Sequence, residues 1–185
     1  YANNGVVTNA VNMPSMSQEV LSKIQPFLEL SEKLGNFMGQ ICKSGVKEII
    51  VEYSGIVSEM NVAPLTVSAL KGYLSPIMSA PVTYVNAPLI AEERGIKLRE
   101  AKITSEGNFS SLVTLIVKSE TGEFAISGSI FGTKRPRFTK LNEHIIDVIP
   151  DGNVLIVEND DKPGVVGLLG NALGKKNINI GRLYL

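Results

Sequence analysis

An α+β fold is predicted by three features of the sequence: an apolar stripe at helical spacing near the start, a series of β-rich segments in the middle, and a strand, Pro-Gly turn, helix, strand order at the end. The first two read as one mixed domain over residues 18–150. The last reads as a separate unit over residues 151–185, with the turn Asp151, Gly152, Asn153 as the boundary. Residues 1–17, rich in Asn, Ser and Pro, read as a linker or extended arm.

Ser15 followed by Gln18 is a capping-box pattern, in which hydroxyl and amide satisfy free backbone N–H groups at a helix start. Phe27, Leu28, Leu30, Leu34, Phe37, Met38 and Ile41 then recur at helical spacing over residues 26–42. Pro26 is expected in a first turn or at a kink, because inside a helix its ring removes a hydrogen bond. VKEIIVEYSG, from Val46, is a strand with Ile49, Val51 and Tyr53 on one face. Residues 63–78 form a helix with Leu65, Ala69, Leu70 and Leu74 inward, and a second helix over 84–94 ends at Gly95, which tolerates a left-handed cap. Four strands follow, IKLREAKIT, SSLVTLIVKS, EFAISGSIFG and RFTKLNEHIIDVI, separated by EGN, the hairpin signal ETG and the basic stretch TKRPR. The final unit reads as strand VLIVEND, loop DKPG, helix VVGLLGNALGKK and strand NINIGRLYL.

With 185 residues and 44% hydrophobic composition the chain has material for a well-buried core, which excludes a disordered protein. Lys plus Arg equal Asp plus Glu at 18 each, so no global field draws it to nucleic acid or an anionic membrane, and any bound anion needs a local site. The single cysteine, Cys42, cannot form an internal disulfide and reads as a small buried side chain. No apolar run approaches the ~18 residues of a membrane span, and the first residues lack a signal-peptide pattern, so a cytoplasmic protein is expected. Tyr1 in place of Met, and a last segment that stops within a strand, suggest a piece of a longer polypeptide.

The segment NDDKPGVVGLLGNALG, residues 159–174, carries the strongest site pattern. A helix opening after Pro-Gly exposes backbone N–H groups and the positive dipole end around Gly164, Val165 and Val166, suited to a carboxylate. Asn159 and Asp161, two apart at a strand end, share a face and could read the amino and hydroxyl groups of a small amino acid. A plain turn with a glycine packed on the sheet accounts for the same residues. His144, the only histidine, has no Cys or His partner for a metal site and reads as structural or surface, while Glu92, Glu93 and Arg94 read as the solvated face of a helix.

DDKPGVVGLLGNALGKKNINIGRL resembles the first β-α-β half of an ACT domain, a ferredoxin-like module that in the phosphoglycerate dehydrogenases binds L-serine at a subunit interface. The resemblance implies effector contacts at Asn159, Asp161 and Asn179, with the backbone of Gly164, Val165 and Val166 receiving the carboxylate. Where the family has His or Tyr, this sequence has Asn159, a departure that bears on serine specificity. NAVNMPSMS, SALKGYLSPIMSAPVTYVNAPLIAEERGI and SGSIFG are similar to the intervening, or allosteric substrate-binding, domain of long-form D-3-phosphoglycerate dehydrogenases. That similarity implies an anion pocket for substrate or another phosphate-bearing effector, for which Lys134, Arg135 and Arg137 are candidates, Arg137 foremost, with Asn86 nearby.

No G-x-G-x-x-G follows a strand with an acidic residue about 20 positions on, so the chain carries neither a nicotinamide-binding fold nor a catalytic residue of its own. The function that the resemblance implies is a regulatory part of an NAD-dependent D-3-phosphoglycerate dehydrogenase, homo-oligomeric, sensing L-serine and, as a further ligand, a phosphate-bearing molecule. NAD would bind elsewhere in the parent enzyme, and no metal is expected here. The alternatives are a free-standing amino-acid-binding regulatory module and the regulatory part of an iron-sulfur L-serine dehydratase, whose SSSHT-like signature is not found in the sequence.

Overall fold

The structure, a computed structural model, describes residues 18–103, 109–132, 135–160 and 162–184, with side chains from residue 22 onward. The expected linker, the Ser15 side of the capping box, Lys134 and Asp161 lie outside the described residues. The chain divides into two compact units, Tyr1–Pro150 and Asp151–Leu185.

In the first unit, helix α1 (Gln18–Ile41) leads into strand β1 (Val46–Gly55), helices α2 (Ala63–Leu74) and α3 (Ala87–Glu93), then strands β2 (Lys97–Ile103), β3 (Ser111–Ser119), β4 (Gly122–Phe131), β5 (Arg135–Leu141) and β6 (His144–Val148). The sheet order is β2-β1-β3-β4-β5-β6, with β1 and β2 parallel and the other pairs antiparallel. The inward set predicted for β1, Ile49, Val51 and Tyr53, is fully buried, as are Leu65, Ala69, Leu70 and Leu74 of α2. The core gathers Leu30, Leu34 and Met38 of α1 and these α2 side chains against Val113, Leu115, Val117, Ile126 and Phe138.

Pro26 sits well inside α1 and not in its first turn. Ile24 is already buried, so the apolar face extends upstream of the proline. Burial of Ile24, Phe27, Leu28 and Leu30, at ~1.5–3 kcal/mol each, outweighs the ~3 kcal/mol an interior proline costs. Helix α2 stops at Leu74, earlier than the predicted 78, because Pro76 has no N–H to continue the ladder and the Ile77 N–H turns back three residues to Leu74 at 3.0 Å. The end at Gly95 holds: with φ of 68° it closes a Schellman motif in which Gly95 N–H bonds Glu92 and Ile96 N–H bonds Ala91, both at 2.9 Å.

Three glycines set the spacing of α1 and α2. A Cβ on Gly35 would overlap the Ala69 carbonyl oxygen, one on Gly39 that of Tyr73, and one on Gly72 that of Glu32. The two backbones therefore touch, an approach that only residues without side chains allow. The Tyr53 hydroxyl lies 2.9 Å from that of Thr66, which itself donates to Glu100 at 2.9 Å, linking β1, α2 and β2 through one polar chain.

Tyr73 donates to the Cys42 carbonyl at 2.7 Å, and burial, helped by Cys42 and opposed by Arg94, pushes its pKa from 10.0 up to about 12. The folded chain keeps a proton that the unfolded chain releases, so this stabilisation is complete below pH 10 and lost as pH rises towards about 12. Burial raises Tyr53 further in the same direction. Urea midpoints are expected to fall across that window, less steeply in Tyr73→Phe; an unchanged slope in the variant would remove Tyr73 from the account. Cys42 is buried as expected, and desolvation raises its thiol pKa.

The ETG signal marks a tight hairpin, with Ser119 paired to Gly122 across Glu120 and Thr121. The run RFTKLNEHIIDVI, read as one strand, is two. Asn142 adopts φ of 49°, and its N–H and side-chain oxygen bond the Ala125 carbonyl and N–H at 2.7 and 2.9 Å, turning the chain from β5 into β6.

In the second unit, helix α4 (Val165–Gly174) forms as predicted, but the flanking segments expected as strands have no ladder among the described residues. In a split β-α-β arrangement the two parallel strands lie one strand apart, so neither can pair with its sibling. The unit correspondingly buries none of its α4 side chains, and Leu155, Leu168 and Ile178 are exposed. No helix among the described residues is long and apolar enough to cross a membrane.

Candidate functional site

Gly164 caps α4 with φ of 95°, a left-handed conformation that glycine adopts without strain. No side chain among the described residues caps this helix. The Leu168 N–H reaches the Gly164 carbonyl at 3.0 Å, and Val165 N–H makes a long 3.5 Å contact with the Lys162 carbonyl. The N–H groups of Val166 and Gly167 fall in the first turn, have no intrahelical acceptor, and point to a helix entrance open to a carboxylate. A Cβ on Gly167 would meet nothing within 4 Å, so the entrance is not packed against the rest of the unit.

Of the predicted contacts in this unit, Gly164, Val165 and Val166 meet at the entrance, while Asn159 and Asn179 are exposed and make no hydrogen bond among the described residues. Lys162 was not anticipated: it stands two residues before the cap and pairs with Asp160 at 2.8 Å. Its position in the DKPG loop was the available signal.

In the first unit Arg135 and Arg137 lie two apart on β5, paired with Phe131 and Ser129, and so share the sheet face away from the helices. Arg137 grips both oxygens of Asp147 on β6 at 2.6 Å and lies 5.5 Å from the Phe131 ring. Its charge is already compensated; Arg135 is exposed and without a partner among the described residues. The structure does not bring Asn86 to these arginines. The helix predicted over 84–94 begins only at Ala87, after a turn in which Thr83 N–H bonds the Asn86 side-chain oxygen at 2.6 Å, Asn86 N–H bonds the Thr83 hydroxyl at 3.2 Å, and the Asn86 amide nitrogen bonds the Pro81 carbonyl at 3.1 Å. This closed turn leads into α3, which packs on α2 and β2, four strands from β5 and ~19 Å away at ordinary strand spacing.

His144 is exposed at the start of β6, and Glu92, Glu93 and Arg94 are exposed on and after α3. Among the described residues no group of three His, Cys, Asp or Glu side chains could hold a metal.

The chain is 35% identical over 178 residues to a D-3-phosphoglycerate dehydrogenase of Synechocystis sp., covering 96% of this chain and 32% of that protein. It is 34% identical over 174 residues to one of Archaeoglobus fulgidus, covering 94% and 33%, and 34% identical over 177 residues to one of Methanocaldococcus jannaschii, covering 96% and 33%. The chain thus spans about a third of the length of the curated relatives it matches. Residues 23–142 match the family described as D-3-phosphoglycerate dehydrogenase intervening domain. Those residues take in α1 from its second turn, all of the α2 and α3 layer and the sheet through β5, and on that match the chain belongs to the D-3-phosphoglycerate dehydrogenase intervening-domain family.

Proposed function

We propose that this chain is the effector-sensing part of an NAD-dependent D-3-phosphoglycerate dehydrogenase, the enzyme that oxidises 3-phosphoglycerate on the way to L-serine, and that L-serine is its effector. The observation that carries this reading is the uncapped α4 entrance, where the Val166 and Gly167 amides and the helix dipole favour a carboxylate. Serine's carboxylate sits on those amides, Asp161 and Asn159 take its ammonium and hydroxyl groups, and Asn179 of a second subunit closes the site. NAD and the catalytic residues belong to other parts of the parent enzyme, which acts as a cytoplasmic homo-oligomer.

The exposed apolar side chains of this unit, among them Leu155, Leu168 and Ile178, support an assembly in which another polypeptide surface covers it, since so many large apolar groups in so short a segment are rarely left to water. Regulation then needs only that serine bind the inactive arrangement more tightly than the active one. A phosphate-bearing effector is the second ligand of this reading, received by Arg135 with Arg137 released from Asp147.

Calorimetric titration of L-serine into the oligomeric dehydrogenase that contains this chain tests the proposal. Saturable binding, lost on Asp161→Ala with uninhibited turnover retained, is the expected result. Absence of any serine heat in the intact oligomer would defeat it.

A further inference from the structure

Pairing registers align Glu52 of β1, Thr114 of β3, Ser127 of β4 and Lys140 of β5 in one row across four adjacent strands. Val51, Tyr53, Val113, Leu115 and Ile126, their neighbours along the strands, point into the core, so by the alternation of strand side chains the row lies on the sheet face away from the helices. It lines a concavity of about 380 Å³ whose apolar wall includes Leu112 and Ala125. Small-molecule sites run from ~300 to ~1,000 Å³.

Arg135 apart, most charged side chains on this face pair with one another. Arg99, Glu48, Lys118 and Glu123 form an alternating ladder with contacts of 3.5, 3.7 and 3.6 Å, a cross-strand arrangement that cancels itself. Glu123 and Glu143 also line the concavity, each in contact with a lysine, but Glu52 differs: it is half-buried and has no ion-pair or hydrogen-bond partner among the described residues. Next to it in the row, the Thr114 and Ser127 hydroxyls lie 2.9 Å apart. One hydrogen serves that contact, and the other hydroxyl hydrogen meets no acceptor among the described residues, although Ser127 is only 6% exposed. At the far end Lys140 has, among the described residues, a single ion-pair contact, at 3.9 Å with Glu143, which is itself almost fully exposed.

A free carboxylate, a spare hydroxyl donor and a loosely held ammonium thus stand in line over an apolar wall. Strands ~4.8 Å apart separate the Glu52 and Lys140 backbones by about 14 Å, a span that the two side chains and a short ligand together bridge. We propose that this row binds a small zwitterion, its ammonium on Glu52, its anionic end on Lys140, and its middle against the spare hydroxyl. The site lies in the first unit and owes nothing to the α4 entrance.

Titration of the whole chain with 3-aminopropanoate, read by backbone amide NMR shifts, tests this. Saturable shifts are expected at residues 52, 112–116, 125–128 and 140, with propylamine and propanoate each binding at least about tenfold more weakly because each forfeits one charged contact. Glu52→Gln and Lys140→Gln each weaken the zwitterion by about tenfold or more, whereas Lys47→Gln, whose partner Glu120 lies outside the lining of the concavity, leaves it unchanged. Should Glu52→Gln fail to fold, Lys140→Gln alone decides. Undiminished binding by either folded variant overturns the proposal, and so do shifts confined to residues 164–167 and 179, or no saturable shift at all.

Discussion

Replacing Gly35 by Ala is expected to lower the stability of the first unit by about 2–4 kcal/mol, against an intrinsic helix-propensity gain of ~1 kcal/mol. The loss wins because the new methyl would overlap a backbone oxygen, the Ala69 carbonyl, and not the end of a flexible side chain. Relief requires α1 and α2 to separate, and the close-packed contacts along their crossing weaken together. Gly39→Ala acts the same way against the Tyr73 carbonyl, and the two sites share one crossing, so their effects will not add. Gly170→Ala in α4, where a Cβ meets nothing within 4 Å, is the control and should be neutral or stabilising. Thermal midpoints of the three variants check this, with a fall of roughly 5–15 °C for Gly35→Ala. A Gly35→Ala protein as stable as the parent would mean that the helices do not approach as closely as described.

Replacing Val166 by Pro is expected to cost at least about tenfold in L-serine affinity while leaving the fold and the uninhibited turnover intact. The substitution deletes one of the two free amides at the α4 entrance. A hydrogen bond to a charged group is worth ~1.5–3 kcal/mol, which is about 10- to 150-fold in affinity. Proline is tolerated here because the N–H it lacks is one that the first helical turn leaves unused. The chain itself uses the same device: Pro64 and Pro88 are the second residues of α2 and α3, as Val166 is of α4. Inhibition curves against L-serine for the parent oligomer and the variant read the effect. Unchanged inhibition in a folded variant would remove the amide entrance from the serine site.

Much of this architecture was legible before any coordinates. The inward faces of β1 and α2, the Gly95 cap, the ETG hairpin and helix α4 all follow from short-range periodicity and turn chemistry, which depend on residues a few positions apart. The family resemblance likewise rests on strings such as VNAPLIAEERGI, and the match over residues 23–142 supports the part of it that concerns the intervening domain.

Other properties depended on partners far along the chain. Nothing local distinguishes RFTKLNEHIIDVI as two strands, because the left-handed turn at Asn142 is held by Ala125, seventeen positions away. Asn86 looked like a pocket residue, and its bonds to Thr83 and Pro81 tie it into the turn before α3 instead. Arg137 looked like a free cation until Asp147 was found beside it. Local pattern alone specified helix α4, the helix or strand character of most segments of the first unit and the apolar faces of β1 and α2, because backbone sterics and side-chain alternation act over one or two turns. Folding in three dimensions settled strand order, the glycine contact of α1 with α2, and which charges remain uncompensated, because those quantities belong to pairs of residues that only chain closure brings together.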